Sequence, residues 1–303
     1  MKRVELAPGI FHLQGGSNMG LAVRDGKGLL IDTGLDKDAA RRALRAAGEL
    51  EVALEAVFIT HAHADHFGGA YFLQRRIEEM SLYAPALEAA MMENPIIEPL
   101  YLFSGAAPIG ELRHKFTLAK PCRVDHVVEP GPLEIGPFQV EVIPLPGHAP
   151  NQVGVAVGEV IFCADAVFPA EALQKHKIPF CVDMNETLAT LERLPGLPYA
   201  HFAPGHGPAY KAGDGIAQAC AANRERLEKI REQVYAALEE PQETSPLVRR
   251  VADHFGLRLE MATAYFLTRT TILAALSSLE QAGDVTVVMR DNRLLWRRQG
   301  AEE

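Results

Sequence analysis

The 303-residue chain is short of cysteine, of long apolar runs and of positive charge. Its four cysteines (Cys122, Cys163, Cys181 and Cys220) lie far apart with no CxxC pair. That excludes a cysteine zinc knuckle and a disulfide mini-scaffold, and the pattern reads as reduced, buried thiols of a cytoplasmic protein. Any metal must therefore be held by histidine and carboxylate. No stretch approaches the ~18–20 apolar residues of a spanning helix. The first residues, MKRVELAPGIFHL, carry Glu5 and Pro8 where a secretory signal needs an apolar run. Lys and Arg number 30 against 39 Asp and Glu, a formal net charge of -9 that disfavours general nucleic-acid or membrane-surface binding. With 48% hydrophobic and 23% charged residues, disorder is excluded. Eleven histidines are the one count that calls for a cause.

Hydrophobic periodicity predicts strands at Ile10–Leu13, Met19–Val23, Gly28–Asp32, Val57–Thr60 and Ser81–Ala84. It predicts helices at Asp36–Ala47, Phe67–Met80 and Ala86–Met92. Hairpins follow at Leu133–Ile143 and Gln152–Cys163, then a helix at Asn185–Leu194 and a strand at Ala200–Ala203. Residues 85–120 break this rhythm with prolines, glycines and large apolar side chains, as a lid or pocket wall does. Two similar halves, about 1–120 and 121–210, point to two sheets covered by helices. An apolar stripe from Ile216 to Leu238 marks a long helix suited to a dimer contact or to docking on its own chain. Helices at Ser245–Phe255, Glu260–Phe266 and Thr268–Ala282, then a hairpin turning at Asp291-Asn292, make a winged-helix pattern. The expected organisation is a catalytic unit over 1–212, a linking helix over 213–240 and a winged-helix-like unit over 241–303.

Chemistry concentrates in Thr60-His61-Ala62-His63-Ala64-Asp65-His66, where a buried strand meets a helix. Three histidines and a carboxylate in six residues cannot all be core. Neutral imidazole suits zinc and similar divalent ions. His148, Asp165 and His206 each follow an apolar strand, two of them next to glycine. Singly each is an ordinary loop residue; together they complete a ligand set.

These segments, with Leu30-Ile31-Asp32-Thr33-Gly34 before them, resemble the metallo-β-lactamase superfamily in content and order over about residues 1–210. The resemblance implies a four-layer αβ/βα sandwich with a metal site along one edge. It assigns His61, His63 and His148 to one ion, Asp65, His66 and His206 to a second, and Asp165 to both. Asp32 becomes a residue that orients ligands. Two divalent ions are implied, zinc first, with manganese or iron as alternatives. His66 stands where many true β-lactamases have arginine, Asp165 where one lactamase class has cysteine, and His63 where flavodiiron proteins have glutamate. The chain is thus more similar to the glyoxalase II, lactonase and ribonuclease Z side. The implied activity is hydrolysis of a small ester, thioester or lactone by metal-activated water, with Asp65 and Asp165 as the catalytic carboxylates.

Lys175 and His176, just past Asp165, are candidates for contact with an anionic substrate, and Tyr71 is a weaker one. Ser17-Asn18 resembles a loop near the site in relatives. Residues 241–303 hold eight arginines and eight acidic residues, so the acidic excess belongs to the first 240. Arg290, Arg293, Arg297 and Arg298 cluster on the wing, and a C-terminal winged helix on this fold resembles the β-lactamase-like protein 2 group, in which a ribonuclease is known. A phosphodiesterase acting on single-stranded RNA is therefore a second reading, disfavoured because the recognition-helix segment carries only Arg269. A mono-iron persulfide-type dioxygenase, which leaves the second metal position empty, is a third.

Overall fold

The computed structural model describes residues 1–300. Seven strands stand side by side in chain order in the first sheet: β1 (Lys2–Ala7), β2 (Ile10–Gln14), β3 (Met19–Arg24), β4 (Lys27–Ile31), β5 (Ala53–Phe58), β6 (Ser81–Pro85) and β7 (His126–Val128). The first four pair antiparallel; β4 to β7 pair parallel. The second sheet contains β8 (Gly131–Ile135), β9 (Phe138–Pro144), β10 (Val153–Val157), β11 (Val160–Ala164), β12 (His201–Pro204) and β13 (Tyr210–Lys211). Its β11–β12 pair is parallel and the rest antiparallel.

The first half carries helices α1 (Lys37–Gly48), α2 (Ala64–Phe67), α3 (Ala70–Arg76), α4 (Ala86–Glu93) and α5 (Ile97–Leu102). The second carries α6 (Ala170–His176), α7 (Met184–Arg193), α8 (Asp214–Ala236), α9 (Thr244–His254) and α10 (Ala262–Gln281), then a hairpin of β14 (Val285–Arg290) and β15 (Arg293–Arg298). Asp291 and Asn292, both at positive φ, form its two-residue turn, the geometry that matches strand twist.

Period-two alternation builds the layers. Leu29, Ile31 and Phe58 point between the sheets, where they meet Val140, Val142, Val155 and Phe162. Their neighbours Leu30 and Val57 point outward to Ala40 and Ala43 of α1 and Leu73 of α3. On the far side Ile161, Cys163 and Phe202 pack on α7 and α8. The result is the expected helix–sheet–sheet–helix sandwich, and each fully buried large side chain contributes about 1.5–3 kcal/mol. The α8 stripe (Ile216, Cys220, Leu227, Ile230, Val234) is buried within the same cluster as Leu247, Val251, Ile272 and Leu276 of α9 and α10. That apolar face is docked on its own chain. Among the described residues no helix is long and apolar enough to cross a membrane.

Two helix expectations need correction. The helix predicted over Phe67–Met80 is two pieces, α2 and α3, broken at Gly68-Gly69 and ending at Arg76. A Cβ on Gly68 would overlap the Leu35 carbonyl, and one on Gly69 would come within 2.6 Å of the Thr33 carbonyl. The two glycines let the β4 loop lie against the metal-motif segment. The segments Glu260–Phe266 and Thr268–Ala282 are one continuous helix, α10, because neither proline nor glycine interrupts 262–281. Polar or short strands β1, β7 and β13 escape a hydrophobic-pattern reading, and β7 moves the boundary between the halves to about residue 130.

Candidate metal centre

Asp32 follows β4 directly, with φ +59, a left-handed backbone that Asp tolerates better than most residues. This turn aims its carboxylate at three donors. It accepts from the Thr60 amide (2.9 Å), the Thr60 hydroxyl (2.9 Å) and Nδ1 of His66 (2.8 Å). Nε2 of His66 is thereby turned toward Asp165 Oδ1 at 3.3 Å and Asp65 Oδ2 at 3.8 Å. His148 donates from Nδ1 to the Phe180 carbonyl (2.9 Å), and His206 from Nδ1 to the Gly16 carbonyl (3.0 Å). Both rings thereby turn Nε2 toward the site, the nitrogen that an imidazole offers a metal once it is deprotonated.

Those Nε2 atoms meet the carboxylates. His206 lies 3.5 Å from Asp65 Oδ2 and 3.4 Å from Asp165 Oδ2; His148 lies 3.5 Å from Asp165 Oδ2 and 2.9 Å from Nδ1 of His63. Three sets of side chains converge: His61, His63, His148; His61, His66, Asp165; and Asp65, His66, His206. Within each set the ligand atoms lie within 4.8 Å of one another. Nε2 of His61, Nε2 of His66 and Oδ1 of Asp165 are buried with no hydrogen-bond partner. Each such atom costs about 1–3 kcal/mol if left unsatisfied. A divalent cation among them removes that cost, so the donor set fits the ions that the sequence implies.

Charge is divided within the cluster. Burial opposes ionisation of Asp165, yet the His206 and His66 imidazoles hold its carboxyl well below the usual range. Asp65 is likewise held low, against burial, by His66 and His206. Burial disfavours a charged His66, but Asp165, Asp65 and Asp32 outweigh it and raise the ring well above its ordinary value. Asp165 raises His206 to about 10. Burial and neighbouring rings push His61 down and His63 down to about 3. The carboxylate side is thus an anionic pair matched by protons that a metal would displace.

Residues outside the ligand set hold it in place. Glu88 of α4, fully buried, accepts from the amides of Ala62 (2.7 Å) and Asn151 (2.9 Å). One carboxylate thereby ties the His61–His63 loop to the loop that carries His148. Burial pushes Glu88 up to about 7 against those two donors. Glu98 of α5 is buried, and Tyr101 of the same helix is half-buried with its hydroxyl inside. Burial first, then Asp65 and Glu88, raise Glu98, and the Tyr101 hydroxyl has no partner. Thr271 of α10 donates to the Pro179 carbonyl and accepts from the Cys181 amide, which sets Phe180 against His63 and His148. Asn223 of α8 clamps both backbone groups of Phe168, whose ring lies beside His148 and His206. The 85–120 segment rests on α10 through Thr263 to Glu111, Arg269 to Ser104 and the Phe103–Phe266 ring contact.

The structure brings together Asp32, His61, His63, Asp65, His66, His148, Asp165 and His206. Ser17 joins them, donating to Asp65 Oδ2 at 2.8 Å. Lys175 and His176 form the last turn of α6, where burial, then Lys175 and His206, lower the His176 ring; neither side chain belongs to the three converging sets. Tyr71 is elsewhere, its ring beneath Lys120 (5.0 Å) and Arg75 (5.9 Å) in a cleft that none of the eight residues lines. Glu88, Thr271, Asn223 and Phe180 carry no local sequence signal: an Asn, a Thr or a buried Glu on a helix reads as ordinary surface until its partner is known.

The sequence model of the metallo-beta-lactamase superfamily matches residues 13–206, well over half of the chain. The chain belongs to the metallo-beta-lactamase superfamily. Its matched span starts in β2 and ends on His206, so it encloses the whole metal centre. Among relatives, a hydroxyacylglutathione hydrolase from Xanthomonas axonopodis pv. citri is 25% identical over 176 residues, covering 58% of this chain and 55% of that protein. The chain thus matches little more than half the length of that enzyme. The probable metallo-hydrolase YqgX of Bacillus subtilis is 27% identical over 198 residues, 63% of this chain and 85% of the relative. A metallo-beta-lactamase family protein from Thermus thermophilus superposes with a TM-score of 0.75 at 19% identity, over 97% of this chain and 100% of that one. A beta-lactamase domain protein from Burkholderia ambifaria gives 0.74 at 21%, over 98% and 93%. At such identities these structures speak for the fold alone, and they share it over nearly the whole of this metallo-beta-lactamase superfamily chain. Both of these sequence relatives carry the names of hydrolases.

Proposed function

We propose that the chain is a dinuclear metal-dependent hydrolase of a small ester, thioester or lactone. The observation that carries this reading is the position of Asp165 between two ligand sets. Its Oδ1 faces His66, and its Oδ2 faces both His148 and His206. His61, His63 and His148 would hold one ion and Asp65, His66 and His206 the second, with Asp165 on both. Zinc suits this mixture of imidazole and carboxylate best; manganese or iron suits it next. When bound, such ions supply the Lewis acidity that polarises a carbonyl and makes water acidic near neutral pH.

The chain's own residues divide the remaining work. The Asp65 side chain is 30% exposed and that of Asp165 6%, so proton transfer to a leaving group falls to Asp65. Ser17 orients that carboxylate. Phe168 and Phe180 wall the site against bulk water. Lys175 and His176 would meet an anionic substrate end. The relatives named for hydroxyacylglutathione support an acyl thioester.

The unit boundaries at 212 and 240 are kept in this reading, with the winged-helix-like end acting as a wall through Thr271. Its arginines favour that role over an RNA grip: Arg298 is engaged by the carbonyls of Tyr235 and Ala236, and Arg293 faces Glu243 at 3.9 Å. A complete second ligand set favours hydrolysis over mono-iron dioxygenation. A panel of acyl thioesters, lactones and bis-p-nitrophenyl phosphate tests the reading. Turnover of a thioester or lactone is expected; cleavage of the phosphodiester alone would overturn it.

A further inference from the structure

We propose that the cleft between α1, α3 and residues 113–120 binds a phosphate-bearing small molecule of nucleotide size. Its volume is about 700 Å³, within the range that holds such ligands. Six basic side chains line it, and five of them (Lys37, Arg75, Arg76, Arg113 and Lys120) have no carboxylate partner among the described residues. The two acidic residues of the wall are already engaged. Asp36 caps α1 by accepting from the amides of Asp38 and Ala39, and its other oxygen holds Lys115 at 3.2 Å. Asp38 pairs with Arg41 at 3.1 Å.

Five uncompensated cations around one cavity are unusual in a chain of net charge -9. They repel one another across the cleft, and a polyanion relieves that repulsion at several contacts at once. Tyr71, Phe72 and Leu118 add ring and apolar surface to the same wall. Arg75 and Lys120 lie over the Tyr71 ring, which holds both charges at the cavity. Phosphate for the cations and a flat ring for the aromatics together describe a nucleotide. Gly68, two residues beyond His66, forms part of the wall, so cleft and metal centre share one segment. The nucleotide could be free or could be the carrier end of a thioester such as coenzyme A.

The test is calorimetric titration of the full chain with ADP, coenzyme A, pyrophosphate and a 5′-phosphorylated RNA oligonucleotide, with no turnover measured. ADP is expected to bind, and the double variant Arg75→Glu/Lys120→Glu to weaken it at least ~10-fold. Lys2→Glu/Arg258→Glu, the same charge change on other exposed positions, is expected to leave binding unchanged. Coenzyme A binding at least as tightly as ADP assigns the carrier end; ADP binding alone assigns a free nucleotide; both support the site. All four positions are exposed, and an unchanged thermal midpoint confirms that each variant is folded. No ADP binding, equal weakening by the control pair, pyrophosphate binding as tightly as ADP, or binding of RNA without ADP would each overturn the proposal. These readouts succeed or fail independently of the hydrolytic reading.

Discussion

The carboxylate of Asp32 lies 2.8 Å from Nδ1 of His66, and both side chains are buried. That bond fixes which nitrogen of His66 faces the carboxylates of the second ligand set. Asp32→Asn replaces an anionic acceptor with a neutral amide. Metal affinity at the second position is expected to fall about 10–100-fold, as with other partners of metal-binding histidines. Competition against a chromophoric chelator reads this directly; affinity equal to that of the parent chain would remove Asp32 from the role.

Gly205 is equally constrained. A Cβ there would fall on the Asp165 carboxylate and within 2.7 Å of the His66 ring. Gly205→Ala must displace one or both. A ligand shift of this size is expected to lower kcat/KM roughly 100-fold. A circular-dichroism spectrum like the parent's would show that the loss is local; full activity would show that the site tolerates the shift.

Glu88 joins two ligand loops through two backbone amides. Glu88→Ala takes the acceptor from both donors, the Ala62 amide buried and the Asn151 amide part-buried, at a cost of about 2–4 kcal/mol. Glu88→Gln keeps one acceptor and is expected to lose less stability. Urea midpoints of the three proteins check the order, and an alanine variant as stable as the parent contradicts the bridging role.

Buried His12 donates to the Pro204 carbonyl at 3.3 Å, and burial lowers its pKa from 6.5 to about 4 despite that bond. Between those values the unfolded chain binds more protons than the folded one. Stability is therefore expected to fall as pH drops from 6.5 toward 4, by on the order of 3 kcal/mol in total. His12→Gln keeps a donor for Pro204 but cannot titrate. Its unfolding free energy should vary less over this window than the parent's; identical slopes would refute the assignment.

His66 and His206 are both raised by their carboxylate partners, so both carry protons at neutral pH in the metal-free chain. Metal ligation requires them neutral. Loading is expected to release about two protons per chain and to weaken as pH falls. Calorimetry in buffers of different ionisation enthalpy measures the release, and none at all would contradict this charge arrangement.

The ligand set was legible because histidine and carboxylate recur at strand ends at a density no core explains. The sandwich was legible because Leu29 to Ile31 and Ala56 to Phe58 alternate between two apolar layers. The support of the site was not. Glu88 acts on Ala62 and Asn151, and Thr271 on a loop about 90 residues away. Such bonds depend on tertiary approach and leave no periodic trace. The break at Gly68-Gly69 was readable only as a contact with Leu35 and Thr33. Tyr71 follows the metal motif closely in sequence, but the same break ends α2 before it, and the residue faces a different cleft.

The most direct test of the central claim is elemental analysis of the purified chain beside His61→Ala, with thioester or lactone turnover measured on the same samples. Two divalent ions per parent chain, fewer in the variant and turnover lost with them are the expected result. One iron per parent chain without hydrolysis, or turnover undiminished in His61→Ala, would contradict it.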